Sequence, residues 1–113
     1  LSLLRAKFAE GLAPMFDLAA TTEELFLMGL FSVLNVILEK PMEEALKMVK
    51  VSDEIRDALT KESGPLAPVY ELMKQYEAAN WQEVSRILIL RNIEVDTISE
   101  VYFNALSWYK KLI

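Results

Sequence analysis

"LFLMGLFSVLNVIL", Leu25 to Leu38, is fourteen residues without a charge. It is open to three readings: a membrane span, a core helix, or the remains of an active site. A bilayer crossing needs about 20 apolar residues in a helix, and shorter apolar runs are more often buried core helices. Drawn as a helix, the stretch has two faces. One carries Phe26, Leu30, Val33, Leu34, Ile37 and Leu38, and the other carries Met28, Ser32, Asn35 and Glu39. The spacing predicts that the first face is packed into a core, with Leu30 and Leu34 nearly fully buried. Gly29, beside the second stripe, offers another helix a close approach. The stretch reads as the central helix of a bundle, and no membrane partner is expected.

Working outward, apolar residues recur at helical spacing nearly everywhere, and alternation of period two is hard to find. A first helix is predicted from about Leu3 to Phe16, weakened at its end by Gly11 and Pro14. Thr21 and Glu24 form a capping box that starts the second helix, which runs to about Glu39. Pro41 opens a short third helix, with Glu43 and Glu44 at its positive end. Ser52 caps a fourth helix lasting to about Thr60, and Ser63-Gly64-Pro65 closes that interval. A fifth spans about Leu66 to Ala79, Asn80 caps a sixth, and Asp96 caps a seventh that ends in Lys110 and Lys111. Short linkers favour antiparallel neighbours. The predicted class is an all-α bundle of about seven short helices, formed as one domain over residues 1–113.

Composition agrees. Apolar residues make up 53% and charged residues 26% of the 113, the balance of a globular protein with a real core. Seventeen acidic against 12 basic residues leave a net charge of −5, and no basic block could neutralise a run of phosphates, so nucleic acid is not an expected partner. The start, Leu1-Ser2-Leu3, has neither an initiator Met nor a charged region before an apolar core. It reads as part of a larger cytoplasmic protein rather than as a secretion signal.

The chemistry-bearing residues are few. There is no Cys and no His, which removes thiolate nucleophiles, soft metal sites and every mechanism that works through imidazole. The glycines are scattered at Gly11, Gly29 and Gly64, so no phosphate loop is present. Carboxylates remain. Glu43 with Glu44, and Asp53, Glu54 and Asp57, are the carboxylate candidates, and Asp53 and Asp57 share a helix face, so that a hard divalent cation could bridge them with added water ligands. First-turn acids are equally the ordinary complement of a helix dipole, with Arg56 and Lys61 to offset them. Ser32 and Asn35 either face a pocket or bond to a backbone carbonyl or neighbouring helix, the usual fate of buried polar groups. The aromatics Tyr102, Phe103, Trp108 and Tyr109 extend round more than one helix face, so they are divided between core and a candidate interaction surface.

Several segments carry a family resemblance: "RAKFAEGLA" (Arg5–Ala13), "ELFLMGLFSVLNVIL", "KPMEEAL", "VSDEIRDALT", "GPLAPVYELMKQYEAANW" and the closing aromatic helix. In this order they resemble the later part of the HDOD region of bacterial proteins that join an EAL domain to an HDOD domain. HDOD is a non-enzymatic relative of the HD phosphohydrolase fold. The resemblance implies that Ser32 and Val33 stand where catalytic HD proteins carry a metal-binding His and Asp, an eroded site retained as core. "EEAL" at Glu43–Leu46 is a coincidence within a short helix.

The resemblance further implies cyclic-di-GMP signalling, with any hydrolysis performed upstream. The expectation is a non-catalytic module, without cofactor or metal, that binds a partner protein, an upstream domain or a second copy. The alternatives are a residual HD-type phosphohydrolase and a tetratricopeptide-like scaffold. The scaffold is suggested by "YEAANWQEV" but lacks the 34-residue self-similarity such repeats show.

Overall fold

The computed structural model describes residues 2–113, apart from the side chain of Ala20. The described residues form eight α-helices and no strand. They are α1 (Ser2–Leu12), α2 (Thr22–Phe31), α3 (Leu34–Ile37), α4 (Met42–Ala45), α5 (Asp53–Lys61), α6 (Ala67–Glu77), α7 (Trp81–Leu90) and α8 (Val95–Leu112). Tight 3-10 turns follow α1 at Ala13–Phe16, precede α2 at Ala19–Thr21 and extend α4 at Leu46–Met48. The all-α expectation holds, with one helix more than predicted because the second breaks in two.

α1 lies at the centre, against α2 on one side and α8 on another, and it also touches α6. Ala6, Phe8, Ala9 and Leu12 of this helix are wholly buried. Two glycines set the closeness of that packing. A Cβ at Gly29 would fall 2.6 Å from the Arg5 carbonyl oxygen and 2.7 Å from the Ala6 Cα, so α1 and α2 meet backbone to backbone. A Cβ at Gly11 would fall 2.7 Å from Cγ1 of Val101, where α8 crosses. Gly11 is therefore a packing position as well as part of the last turn of α1, which gives way to a 3-10 turn after Leu12. Helices grouped around α1 in this way do not form the stacked pairs of a repeat scaffold.

The close approach at Gly29 overturns the predicted burial of the opening stretch. Leu25, Met28, Gly29 and Ser32 are buried, while Leu30 and Leu34 are only half-buried and Ile37 is 64% exposed. Of the face assigned to the core, Val33 alone is buried. The physical reason is that α1 can reach the helix only where no Cβ stands. The Gly29 side therefore turns inward, although the opposite side is the more apolar.

Most predicted caps also differ. Ser52 does cap α5, accepting from the Ile55 N–H at 3.2 Å, and its hydroxyl donates to the Glu24 carboxylate on α2. Glu24 is thus taken up between helices, and Thr21 donates to the Leu18 carbonyl instead of capping α2. Asn80 makes no side-chain cap, and α8 begins at Val95, one residue before the predicted cap Asp96. Glu39, Glu62, Ala79 and Asn92 end their segments in the left-handed region, a conformation that glycine usually supplies.

No single described helix is long and apolar enough to cross a membrane. Thr22–Ile37 and Met42–Met48 have the length and apolar composition of a span only when taken together, and they bend by 113° at their break.

Candidate functional site

The break between α2 and α3 is the most structured polar feature of the molecule. Ser32 is 4% exposed, the only buried polar residue among those described. Its hydroxyl donates to the Gly29 carbonyl at 2.7 Å, and the Ser32 N–H bonds to the same oxygen at 3.3 Å. Tightening of this last turn ends α2, and the chain resumes helix at Leu34. Ser32 Oγ also accepts a hydrogen bond from Arg5 Nη1 at 3.1 Å.

Arg5 belongs to α1 and reaches across to α6. Its Nε donates to both carboxylate oxygens of Glu77, at 2.8 and 3.0 Å, and Nη2 lies 2.7 Å from Oε1. The two side chains are only 18% and 19% exposed, so the side-on pair is screened less than a surface one. Ser32, Arg5 and Glu77 therefore join α2, α1 and α6 in one chain of hydrogen bonds. The cleft beside them, about 490 Å³, is lined also by Asn35 and Tyr70 and by the exposed Val36 and Ile37.

Both readings of Ser32 hold: it bonds to a backbone carbonyl and to a neighbouring helix, and together with Asn35 it lines the cleft. As a metal site the residues do not fit. Valine has no donor atom, the Ser32 hydroxyl is already committed, and a guanidinium stands beside it. The other carboxylate candidates are spread over the surface. Asp53 pairs with Arg56 at 3.2 Å, Asp57 lies 3.9 Å from Lys61, and Glu43 and Glu44 are exposed. Among the described residues no three acidic side chains converge.

The candidate aromatic surface divides. Tyr102 packs on Phe8 and Tyr76, with ring centroids 5.1 and 5.0 Å apart, and Tyr76 in turn meets Trp81. Burial, with Glu77 and Tyr76 nearby, raises the Tyr102 pKa above the ordinary tyrosine value. Trp108 lies edge-on to Phe26, with the Lys7 ammonium 5.2 Å above its ring. Tyr109 is half-buried, and Phe103 is 69% exposed. Of the four, Phe103 alone stands out from the molecule; Leu112 and Ile113, at the end of the chain, are exposed as well, with Leu112 on the opposite side of α8.

Arg5, Glu77 and Tyr70 did not stand out as site residues in the sequence. A signal was present in Arg5, a charge on the same helical stripe as Phe8 and Leu12, where burial demands a partner. Nothing local identifies that partner, which lies 72 residues away.

No protein-family model matches the chain, and no solved structure matches it significantly. Two curated proteins do. Over 108 residues, 96% of the chain, it is 30% identical to the cyclic di-GMP phosphodiesterase CdgJ of Vibrio cholerae, of which it covers 25%. Over all 113 residues it is 28% identical to the uncharacterized protein YuxH of Bacillus subtilis, of which it covers 27%. The chain therefore spans about a quarter of the length of the curated relatives it matches.

Proposed function

We propose that the chain is a non-catalytic interaction module of a cytoplasmic cyclic-di-GMP signalling protein, of the HDOD type. It docks on a partner protein or on another domain of its own polypeptide. The observation that carries this reading is the similarity over 96% of the chain to one quarter of a cyclic di-GMP phosphodiesterase. The all-α architecture supports the HDOD assignment. The commitment of Ser32 to Gly29 and Arg5, with Val33 beside it, supports a structural rather than a catalytic role for this region.

The docking surface in this reading centres on Phe103 of α8, which is 69% exposed. Exposed apolar area favours association at about 25 cal/mol per Å² buried. Two experiments test the reading. Purified chain incubated with cyclic di-GMP leaves the nucleotide intact, and turnover above a chain-free control overturns the non-catalytic assignment. In sedimentation at micromolar concentration the chain self-associates, and Phe103→Asp shifts it towards monomer. A wild-type chain that stays monomeric defeats the homodimer and the use of this face by it.

A further inference from the structure

The cleft beside Ser32 combines a cationic group with a lining that holds no acidic residue, in a chain with 17 acidic residues to 12 basic. Its one charged lining residue is Arg5. A guanidinium carries five N–H groups in a planar fork. Nε and Nη2 of Arg5 engage Glu77, and Nη1 donates to Ser32. Each Nη retains a further N–H with no partner among the described residues. Ser2, Asn35 and Tyr70 add hydroxyl and amide groups to the wall. The far side is apolar, formed by Val36 and Ile37, which are 71% and 64% exposed.

A cleft with donors on one wall, apolar residues on the other and its nearest acid, Glu77, already bonded to Arg5 suits a ligand with clustered acceptors and a short hydrocarbon part. Glu77 already balances the single charge of Arg5, so the cleft offers an anion hydrogen bonds rather than net charge, and a monoanion is matched better than a phosphate dianion. Planar carboxylates fit a guanidinium edge through two parallel hydrogen bonds. At about 490 Å³ the cleft falls within the range of small-molecule sites, roughly 300–1,000 Å³.

We propose that this cleft binds a monocarboxylate bearing a branched aliphatic group. The carboxylate sits on the free edge of Arg5, and the hydrocarbon lies on Val36 and Ile37. Such a group is supplied either by a free branched-chain acid or by the C-terminus of a peptide with an aliphatic last residue. Binding here does not depend on the signalling role proposed above.

The test is an amide and arginine-Nε NMR titration of the whole chain at constant ionic strength. One arm uses sodium isovalerate, a second N-acetyl-leucine as the mimic of a peptide terminus, and a third sodium chloride. Saturable shifts at Arg5, Ser32 and Val36, in the millimolar range and absent with chloride, are expected in at least one carboxylate arm. The arm that binds more tightly identifies the source. Ile37→Glu places a negative charge on an exposed rim position without disturbing the core, and it should weaken binding by about tenfold or more. Arg5→Gln should abolish it. Absence of saturable shifts in both carboxylate arms, or shifts that Ile37→Glu leaves unchanged, overturns the proposal.

Discussion

α1 and the α2–α3 segment invert the order that their sequences suggest. α1 carries Arg5, Lys7 and Glu10 within eleven residues, whereas Leu25–Leu38 carries no charge. Yet α1 is the centre of the fold, and α3 has no buried residue at all. Burial follows neighbours rather than composition. α1 is enclosed by α2, α6 and α8, and its charges leave the core at the edges, Arg5 to Glu77 and Lys7 to Glu10. α2 meets α1 along one side only, and beyond Val33 the chain turns out towards solvent, with Val36 and Ile37 exposed. The lesson is that an uncharged helix need not be the most buried one when a glycine elsewhere fixes which side is approached.

The sharpest way to break this comparison is truncation at the centre. Phe8 is wholly buried and touches both Tyr76 and Tyr102, so Phe8→Ala should lower stability by about 3–5 kcal/mol. Denaturant unfolding measures this, and a loss below that of any α3 variant would show that α1 is not the centre.

A matched pair sharpens the comparison within the apolar stretch itself. Met28 is wholly buried and Leu34 only half-buried, so Met28→Ala should cost about 2–5 kcal/mol and Leu34→Ala clearly less. Thermal melts of the two variants decide the matter. Equal losses would restore the face assignment that spacing alone suggests.

The contact between the two regions is tested at Gly29. A methyl group there meets backbone atoms of Arg5 and Ala6, which cannot rotate away as a side-chain end can. Gly29→Ala should therefore cost about 1–3 kcal/mol through forced separation of α1 and α2, despite the better helix propensity of alanine. A stabilised variant would mean that the two helices do not approach this closely.

The smallest effect lies outside both regions, at the Glu62–Lys74 ion pair between the end of α5 and α6. The hydrogen bond from Lys74 lowers the Glu62 pKa. Burial works to lower the Lys74 pKa, but the bond to Glu62 and the nearby Tyr70, Glu62 and Glu71 outweigh it, and the net shift is upward. Stabilisation by Glu62 is present above the ordinary glutamate pKa and fades as pH falls through its lowered value. That from Lys74 is present below the ordinary lysine pKa and fades as pH rises through its raised value. Glu62 is 61% exposed, so the pair contributes little at physiological salt. Glu62→Gln should leave melting nearly unchanged at neutral pH, with any loss confined to the interval between those two values. A large drop at neutral pH would show the pair to be held away from solvent.

What the sequence determined by itself is the class and the punctuation. Helical spacing identified an all-α chain, Ser52 announced the start of α5, and Ser63-Gly64-Pro65 marked the turn before α6. Absence of His and Cys defined the available chemistry, and the missing Cβ of Gly29 announced a close helix contact. Each of these is a local property, carried by residues within a few positions of one another. What only the tertiary structure decided is which side of Leu25–Leu38 faces inward and why that helix breaks. It also decided where Arg5, Glu24 and Tyr102 find their partners. The packing outcomes depend on groups distant in the chain, as with Arg5, whose partners Ser32 and Glu77 lie 27 and 72 residues away. No periodicity within one helix records the position of another, and a polar side chain takes whichever acceptor the packed backbone brings within reach.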